Sequence, residues 1–319
     1  MKLAIVGAGF SGLSAAWHLL QYPNVQVTLY DALPIGQSTS GMAAGLLHPY
    51  AGLHAKKNWR GDEGMAAALP LLDIASKAYG QPIYRHTGLL RVAFNPQAEE
   101  DFRSTAEKHP DVEWLPNCQT KLPELGTHPG IFIHNAYQVS GNLYLQGLWQ
   151  ACMGKKCHFI QERVLPATLL HDYDCVIAAT GGQTASLLRV KGQLLQVSWP
   201  KEVPPLLYPI SSQHYIVMDW DDKSCFVGGT YERPVIDENP ERERAIEELW
   251  PKALELFPPL AEGKIIQVKA GIRSTTPNHI PFLEETAPRF FTLAGMGSKG
   301  LLYSALYAQE LALRIAQRF

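Results

Sequence analysis

The stretch "KLAIVGAGFSGLSAAWHLL" (2–20) constrains this chain more than any other. A short apolar run leads into Gly7-x-Gly9-x-x-Gly12, and Phe10, Leu13, Ala16, Trp17 and Leu20 then repeat at helical spacing. A second apolar run, "NVQVTLYD", ends on Asp31, nineteen residues after Gly12. Glycines so spaced permit a tight turn, close approach of backbone to a pyrophosphate and close packing of helix on strand. The helix N-terminus adds unpaired N–H groups and a partial positive charge, and the acid at the second strand end binds ribose hydroxyls. Gly7, Ala8, Gly9, Phe10, Ser11 and Gly12 are therefore expected to hold a dinucleotide's phosphates, and Asp31 its ribose. Such a βαβ unit demands an α/β fold with a buried parallel sheet. The fingerprint alone does not choose between FAD and NAD.

Composition matters here for what it excludes. A chain of 319 residues, 46% apolar and 18% charged, is an ordinary globular protein of one or two domains without low-complexity tracts. A formal charge of −2 lacks the basic excess that usually announces a nucleic-acid partner. Cys118, Cys152, Cys157, Cys175 and Cys225 form no C-x-x-C pair. They suit reduced core thiols in a cytoplasmic protein better than a disulfide framework or a zinc site, so no metal is expected. Glycines interrupt the apolar N-terminus, which argues against a signal peptide, and no other segment has the apolar length of a membrane span.

Further along, residues 65–79 read as a helix and 88–94 as a strand, followed by a proline-punctuated sheet-and-loop region to about 135. A helix is expected over 143–152, capped by Ser140 or Asn142, and strands over 158–164 and 174–180. Residues 214–231 read as a hairpin around Asp221-Asp222, and 241–254 as a surface helix broken or restarted at Pro251. Strands over 264–274 and 289–295 precede a closing glycine-rich turn and helix, "GMGSKGLLYSAL" (295–306). This order implies two interleaved domains, each visited more than once.

Three stretches carry a resemblance: "STSGMAAGLLHP" (38–49), "DCVIAATGGQT" (174–184) and the closing turn. Together they resemble the FAD-dependent D-amino-acid oxidase and glycine oxidase (DAO) superfamily, and the likeness runs from Met1 to the C-terminus. It implies a Rossmann-like FAD-binding domain (1–80, 141–190 and 270–319) interleaved with a β-rich α+β substrate domain (81–140 and 191–269). It also implies that Ser40, Met42, Ala43, Ala44, Gly45 and Leu46 line the flavin, that Val164 touches the adenine, and that Thr180 and Gly181 pack near the adenosine half. Gly297, Ser298, Lys299, Gly300 and Leu301 would face the pyrimidine edge of the ring. A helix N-terminus suits that place, because a two-electron-reduced flavin carries negative charge at N1 and the C2 carbonyl.

The segment "KAGIRSTTPNHIPFL" resembles the superfamily's Gly-x-Arg motif, whose arginine takes the substrate carboxylate; Arg273 holds that position. A guanidinium matches a carboxylate bidentately and does not deprotonate. Lys299 would bind the carboxylate, support the reduced ring or assist electron transfer to O₂, or else stand as a solvated lysine at a helix start. Tyr215 matches a strand tyrosine that contacts substrate in glycine oxidases, with a core tyrosine as the alternative. His48 falls beside the expected ring as a polar wall residue. The implied reaction is oxidation of an amine that carries an α-carboxylate.

Within the superfamily, the closing segments and "SGMAAGLLHPYAG" resemble the oxidase domains of the MnmC family, which remove the carboxymethyl group from 5-carboxymethylaminomethyluridine in tRNA. The substrate is then either that tRNA-borne amine or free glycine, sarcosine or a D-amino acid. The chain departs from the MnmC pattern in lacking a methyltransferase domain, which suggests a stand-alone form, in being shorter than the oxidase domain, and in carrying Lys299 where arginine is usual. "HAKKNWRG" (54–61) offers Lys56, Lys57, Trp59 and Arg60 to a splayed base, or is simply a solvated loop.

Overall fold

A computed structural model describes residues 1–181 and 187–318. The chain opens with β1 (Lys2–Val6), α1 (Phe10–Leu19) and β2 (Gln26–Asp31), the unit the glycine fingerprint demands. It continues through β3 (Leu46–Leu47), α2 (Gly61–Tyr79), β4 (Tyr84–His86) and β5 (Leu89–Val92). Next come α3 (Pro96–Lys108), β6 (Val112–Leu115), β7 (Gly130–Ile133), β8 (Tyr137–Val139) and α4 (Gly141–Met153). The middle holds β9 (Cys157–Gln161), β10 (Cys175–Ala178), β11 (Leu188–Ser198), β12 (Ile210–Ser211), β13 (Tyr215–Met218) and β14 (Ser224–Gly228). It closes with α5 (Arg242–Leu256), β15 (Ile265–Thr275), β16 (Phe282–Ala287), β17 (Phe290–Ala294) and α6 (Gly300–Ala316).

The first sheet runs β16-β17-β10-β1-β2-β9 and is parallel from β17 to β9, with β16 folded back as a hairpin. Its central strands read as continuous apolar runs because both faces are covered. One face buries Leu3, Ile5, Leu29 and Ile177 against Leu13, Leu71, Leu145 and Leu311 of the helical layer α1, α2, α4 and α6. The other face buries Ala4, Val6 and Val176 beneath Tyr173 and Phe290. This is the mixed α/β architecture expected, with β1 and α1 meeting at the glycine turn.

The second sheet, β15-β11-β14-β13-β12-β5-β7-β6, is antiparallel except where β12 lies alongside β5. Side chains alternate between its faces. Leu195, Val197 and Val227 point to a core closed by Leu249, Ala253 and Leu256 of α5. Leu194 is registered opposite Lys269 and Gly228, and Gly228 opposite Tyr215, so these residues share the other face with Gly271 and Arg273. That face turns toward the first sheet: a methyl group on Gly271 would stand 2.6 Å from the Thr39 side chain. A small sheet, β3-β8-β4, lies between.

Three departures from expectation have a physical reason. The region assigned to sheet and loop contains α3, whose start is marked by Pro96 in the first turn and by the Asn95 side chain accepting from the Ala98 amide. Strand β11, eleven residues long, was not expected at all. Helix α5 runs unbroken past Pro251, because Leu249 before it and Ala253 and Leu256 after it hold both flanking turns on the sheet.

Candidate active site

A cavity of about 1080 Å³ separates the two sheets. Its wall includes Gly7, Gly9, Phe10, Ser11 and Asp31 from the first turn, and Ser40, Met42, Ala43, Ala44, Gly45 and Leu46 from the small-residue run. Val164, Thr180, Gly181, Gly297, Ser298, Gly300 and Leu301 also line it, as do Tyr215 and Arg273. Four expected residues do not: Ala8, Gly12, His48 and Lys299. The run "DCVIAATGGQT" continues past Gly181 into residues outside those described.

The first turn is built by contact. Gly7 has φ +108°, and a Cβ there would lie 2.3 Å from the Ala179 carbonyl oxygen. Gly12 packs the turn from behind, its absent Cβ replaced by the Gly7 oxygen. The Ala8 amide donates to Asp31 Oδ2 (2.7 Å) and the Leu33 amide to Oδ1 (3.0 Å), so the carboxylate ties turn to strand. Each oxygen keeps a second lone pair for a ribose hydroxyl. Gly9 offers α1 no side-chain cap; the Phe10 amide donates to Ser40 Oγ (3.4 Å), which leaves the Ser11 and Gly12 amides to a ligand. Beside Gly9 the Ser38 hydroxyl is buried with no partner among the described residues. An orphaned buried hydroxyl at an uncapped helix start is what a phosphate oxygen would satisfy, so the residues present fit a dinucleotide.

At the other end, Gly295 (φ +77°) and Gly297 (φ +58°) turn the chain from β17 into α6. The Gly297 amide already donates to the Ser274 carbonyl (2.8 Å), so this residue shapes the turn rather than offering its N–H. Among the described residues, the Ser298, Gly300 and Leu301 amides have no backbone acceptor. They form the open N-terminus of α6, at the cavity wall. Lys299 is half-buried with its ammonium 5.8 Å from the centre of the Tyr303 ring, and burial lowers its pKa.

Arg273 and Tyr215, 58 residues apart in the sequence, share one face of the second sheet. Arg273 Nη2 donates to the Thr230 carbonyl (2.6 Å), and the guanidinium lies across Gly192, where a Cβ would be 2.1 Å from Nη2. Thr230 is fixed in turn: its hydroxyl accepts from the Gln193 amide (2.9 Å) and donates to Glu232 (2.5 Å). Buried Glu232 also accepts from Gln193 Nε2 (2.9 Å) and lies 3.5 Å from Arg244. Glu232, two residues beyond the carbonyl that Arg273 meets, is thus engaged elsewhere, and among the described residues Arg273 has no carboxylate partner. Burial raises the Tyr215 phenol pKa, with the Arg273 charge opposing, so the hydroxyl stays protonated as a donor at neutral pH.

Lys269, Gly192 and Gln193 also line the cavity and were missed in the sequence. Alternation within "KAGIR" could have found Lys269, since positions 269, 271 and 273 of one strand share a face. His48 sits away from the cavity, its Nδ1 accepting from the Tyr50 amide (3.3 Å). Burial, then the Arg91 charge, lowers its pKa to about 3, so it is neutral. In the 54–61 loop, Lys57 pairs with Asp62 (2.9 Å), and Arg60 pairs with Glu63 (2.7 Å) and Glu310 (2.5 Å). Trp59 is exposed, its carbonyl held by the Tyr303 hydroxyl. Among the described residues no group of three His, Cys, Asp or Glu could hold a metal ion, and no helix is long and apolar enough to cross a membrane.

The family model for FAD dependent oxidoreductases (DAO) matches residues 2–314. An oxidoreductase named ThiO from Rhizobium etli is 25% identical, the match covering 99% of this chain and 96% of that protein. The tRNA 5-methylaminomethyl-2-thiouridine biosynthesis bifunctional protein MnmC of Maricaulis maris is 24% identical over 97% of this chain and 51% of its own length. This chain therefore spans about half of that relative. The crystal structure of glycine oxidase from Geobacillus kaustophilus superposes with a TM-score of 0.83 at 20% identity, covering 99% of this chain and 95% of that one, which shows a shared fold.

Proposed function

Because this chain belongs to the DAO family of FAD-dependent oxidoreductases, we propose that it oxidises the C–N bond of a glycine unit, –NH–CH₂–COO⁻, held between its two sheets. The observation that carries the reading is Arg273: a cation without a carboxylate partner among the described residues, in the same cavity as the dinucleotide turn. Arg273 takes the α-carboxylate through a bidentate pair, which fixes the Cα in one orientation. Tyr215 donates from β13, on the same face of the sheet, and restricts that orientation further. Gly192 leaves the room in which the guanidinium lies, and Gly271 lets Thr39 pack close against the sheet face. The first turn and Asp31 would hold the phosphates and ribose, and the open amides of α6 would face the ring. When bound, FAD supplies the two-electron acceptor that turns the amine into an imine, which water splits into glyoxylate and the shortened amine.

We propose that the glycine unit is the carboxymethylaminomethyl group of a tRNA wobble uridine, converted to 5-aminomethyluridine. The MnmC-like closing motifs and the exposed Trp59 beside Lys56 support this reading. One observation favours free glycine, sarcosine or a D-amino acid instead: carboxylates already neutralise Lys57 and Arg60. A cytoplasmic setting accords with five free, buried cysteines. The test is anaerobic mixing with tRNA bearing the modified base and, separately, with glycine, following flavin absorbance. Bleaching by tRNA alone is expected. Bleaching by glycine alone overturns the tRNA reading, and bleaching by neither overturns both.

A further inference from the structure

Lys269 stands four residues before Arg273 on β15, on the same face, and both line the cavity. At ~3.3 Å per residue their Cα atoms are about 13 Å apart. Lys269 has no ion-pair partner among the described residues. The acid that acts on its charge, Asp219, is engaged by Gln196 Nε2 (3.0 Å), the Ser224 hydroxyl (3.2 Å) and the Trp220 amide (2.7 Å). The ammonium instead lies 4.8 Å from the centre of the Phe226 ring. A half-buried cation with no acid in ion-pair contact is unfavourable, and one aromatic face offsets little of that cost. Across the sheet, Lys269 is registered opposite Leu194 and Arg273 opposite Val190, so no acid comes from the neighbouring strand. Lys269 and Arg273 thus stand as two cations on one face of β15, separated by Gly271.

We infer that Lys269 is the seat of a second anionic group of the substrate: the arm on its nitrogen presents a phosphate of the nucleotide that bears the glycine unit, or the carboxylate of a small N-substituted glycine, which Lys269 binds while Arg273 holds the α-carboxylate. The inference deepens the glycine-unit reading and rests on it. A lysine that merely covers Phe226 with its stem would show no preference for charge on the arm.

The test uses the holoenzyme and N-substituted glycines with arms of matched length ending in methyl, carboxylate or phosphonate. Binding is followed by perturbation of the visible flavin spectrum, and turnover by anaerobic flavin reduction. For one arm length, the wild type is expected to bind an acid-ended ligand about tenfold or more tighter than its methyl twin. Lys269→Met should bring that ratio near one, and Lys269→Arg should keep most of it. The carboxylate and phosphonate arms identify which anion the seat takes. Equal binding of acid and methyl arms at every length, or a preference that survives Lys269→Met, overturns the inference. Acid arms that bind through Lys269 but are never oxidised would overturn the reaction instead. Methyl and acid arms oxidised alike by wild type and variant would leave the reaction standing and remove the seat.

Discussion

The two ends of the cavity recognise by different means. The dinucleotide end works with backbone: an uncapped helix start at Gly9, a glycine at φ +108° and a carboxylate that ties the turn to its strand. The substrate end works with side chains that stand on a sheet: Arg273 and Lys269 from β15, and Tyr215 from β13, far away in sequence. Backbone recognition tolerates no side chain where the ligand or turn must pass. Side-chain recognition tolerates exchange of its surroundings but not of its charges. Substitutions should therefore fail in different ways at the two ends.

The largest effect is expected at the backbone end. Gly7→Val places a branched side chain at a positive φ and against the Ala179 carbonyl. The variant should purify colourless or fail to fold, as read by the flavin-to-protein absorbance ratio. A yellow, stable Gly7→Val protein would break the distinction between the ends. Next comes Arg273→Ala, expected to stay yellow while kcat/KM drops about a hundredfold to a thousandfold, since a partly buried charged pairing is lost. Loss of colour in this variant would mean that the two ends do not separate.

Gly192→Ala sharpens the comparison, because it imports the backbone mode of failure into the side-chain end. The new methyl would meet the guanidinium of Arg273, the far end of a flexible side chain, so the fold should survive while the arginine is displaced. KM is expected to rise about tenfold to a hundredfold with the melting temperature nearly unchanged. A lower melting temperature with an unaltered KM would show that Gly192 serves packing instead.

The same contrast explains what could be read beforehand. The dinucleotide end is local: three glycines, a helix pattern and one acid fall within Gly7 to Asp31, and each reports on the others. Arg273 was found through a motif in one strand. Its support was invisible, because Gly192, Gln193, Thr230 and Glu232 reach it through the register of β11 and the chain beyond β14. Strand β11 itself lay hidden in "LRVKGQLLQVS", where a lysine and a glycine interrupt the apolar pattern, since Lys191 is buried in ion pairs with Glu241 and Asp237. His48 was placed near the ring by its position in the sequence after the small-residue run. The chain turns there, and the imidazole lies apart from the cavity-lining residues.

The smallest effect concerns stability, and it asks whether the two halves unfold together. Each carries a neutral histidine: half-buried His18 on α1, lowered by burial to about 4, and buried His48, beside Arg91 of β5 in the second sheet, lowered to about 3 by burial and then by the Arg91 charge. Between these values and the unfolded pKa of about 6.5, the unfolded chain binds more protons than the folded one, so stability rises with pH. The contribution is fully present above the unfolded pKa and is lost as the pH falls toward the folded ones, by about 1.4 kcal/mol per pH unit for each histidine. Melting temperature should therefore decline from pH 7 to pH 4, and His18→Gln and His48→Gln should each flatten the decline. In a protein that unfolds as one unit, both substitutions flatten a single transition. If scanning calorimetry instead shows two transitions, with His18→Gln affecting one and His48→Gln the other, the backbone end and the side-chain end are separately stable bodies that meet at the ligand.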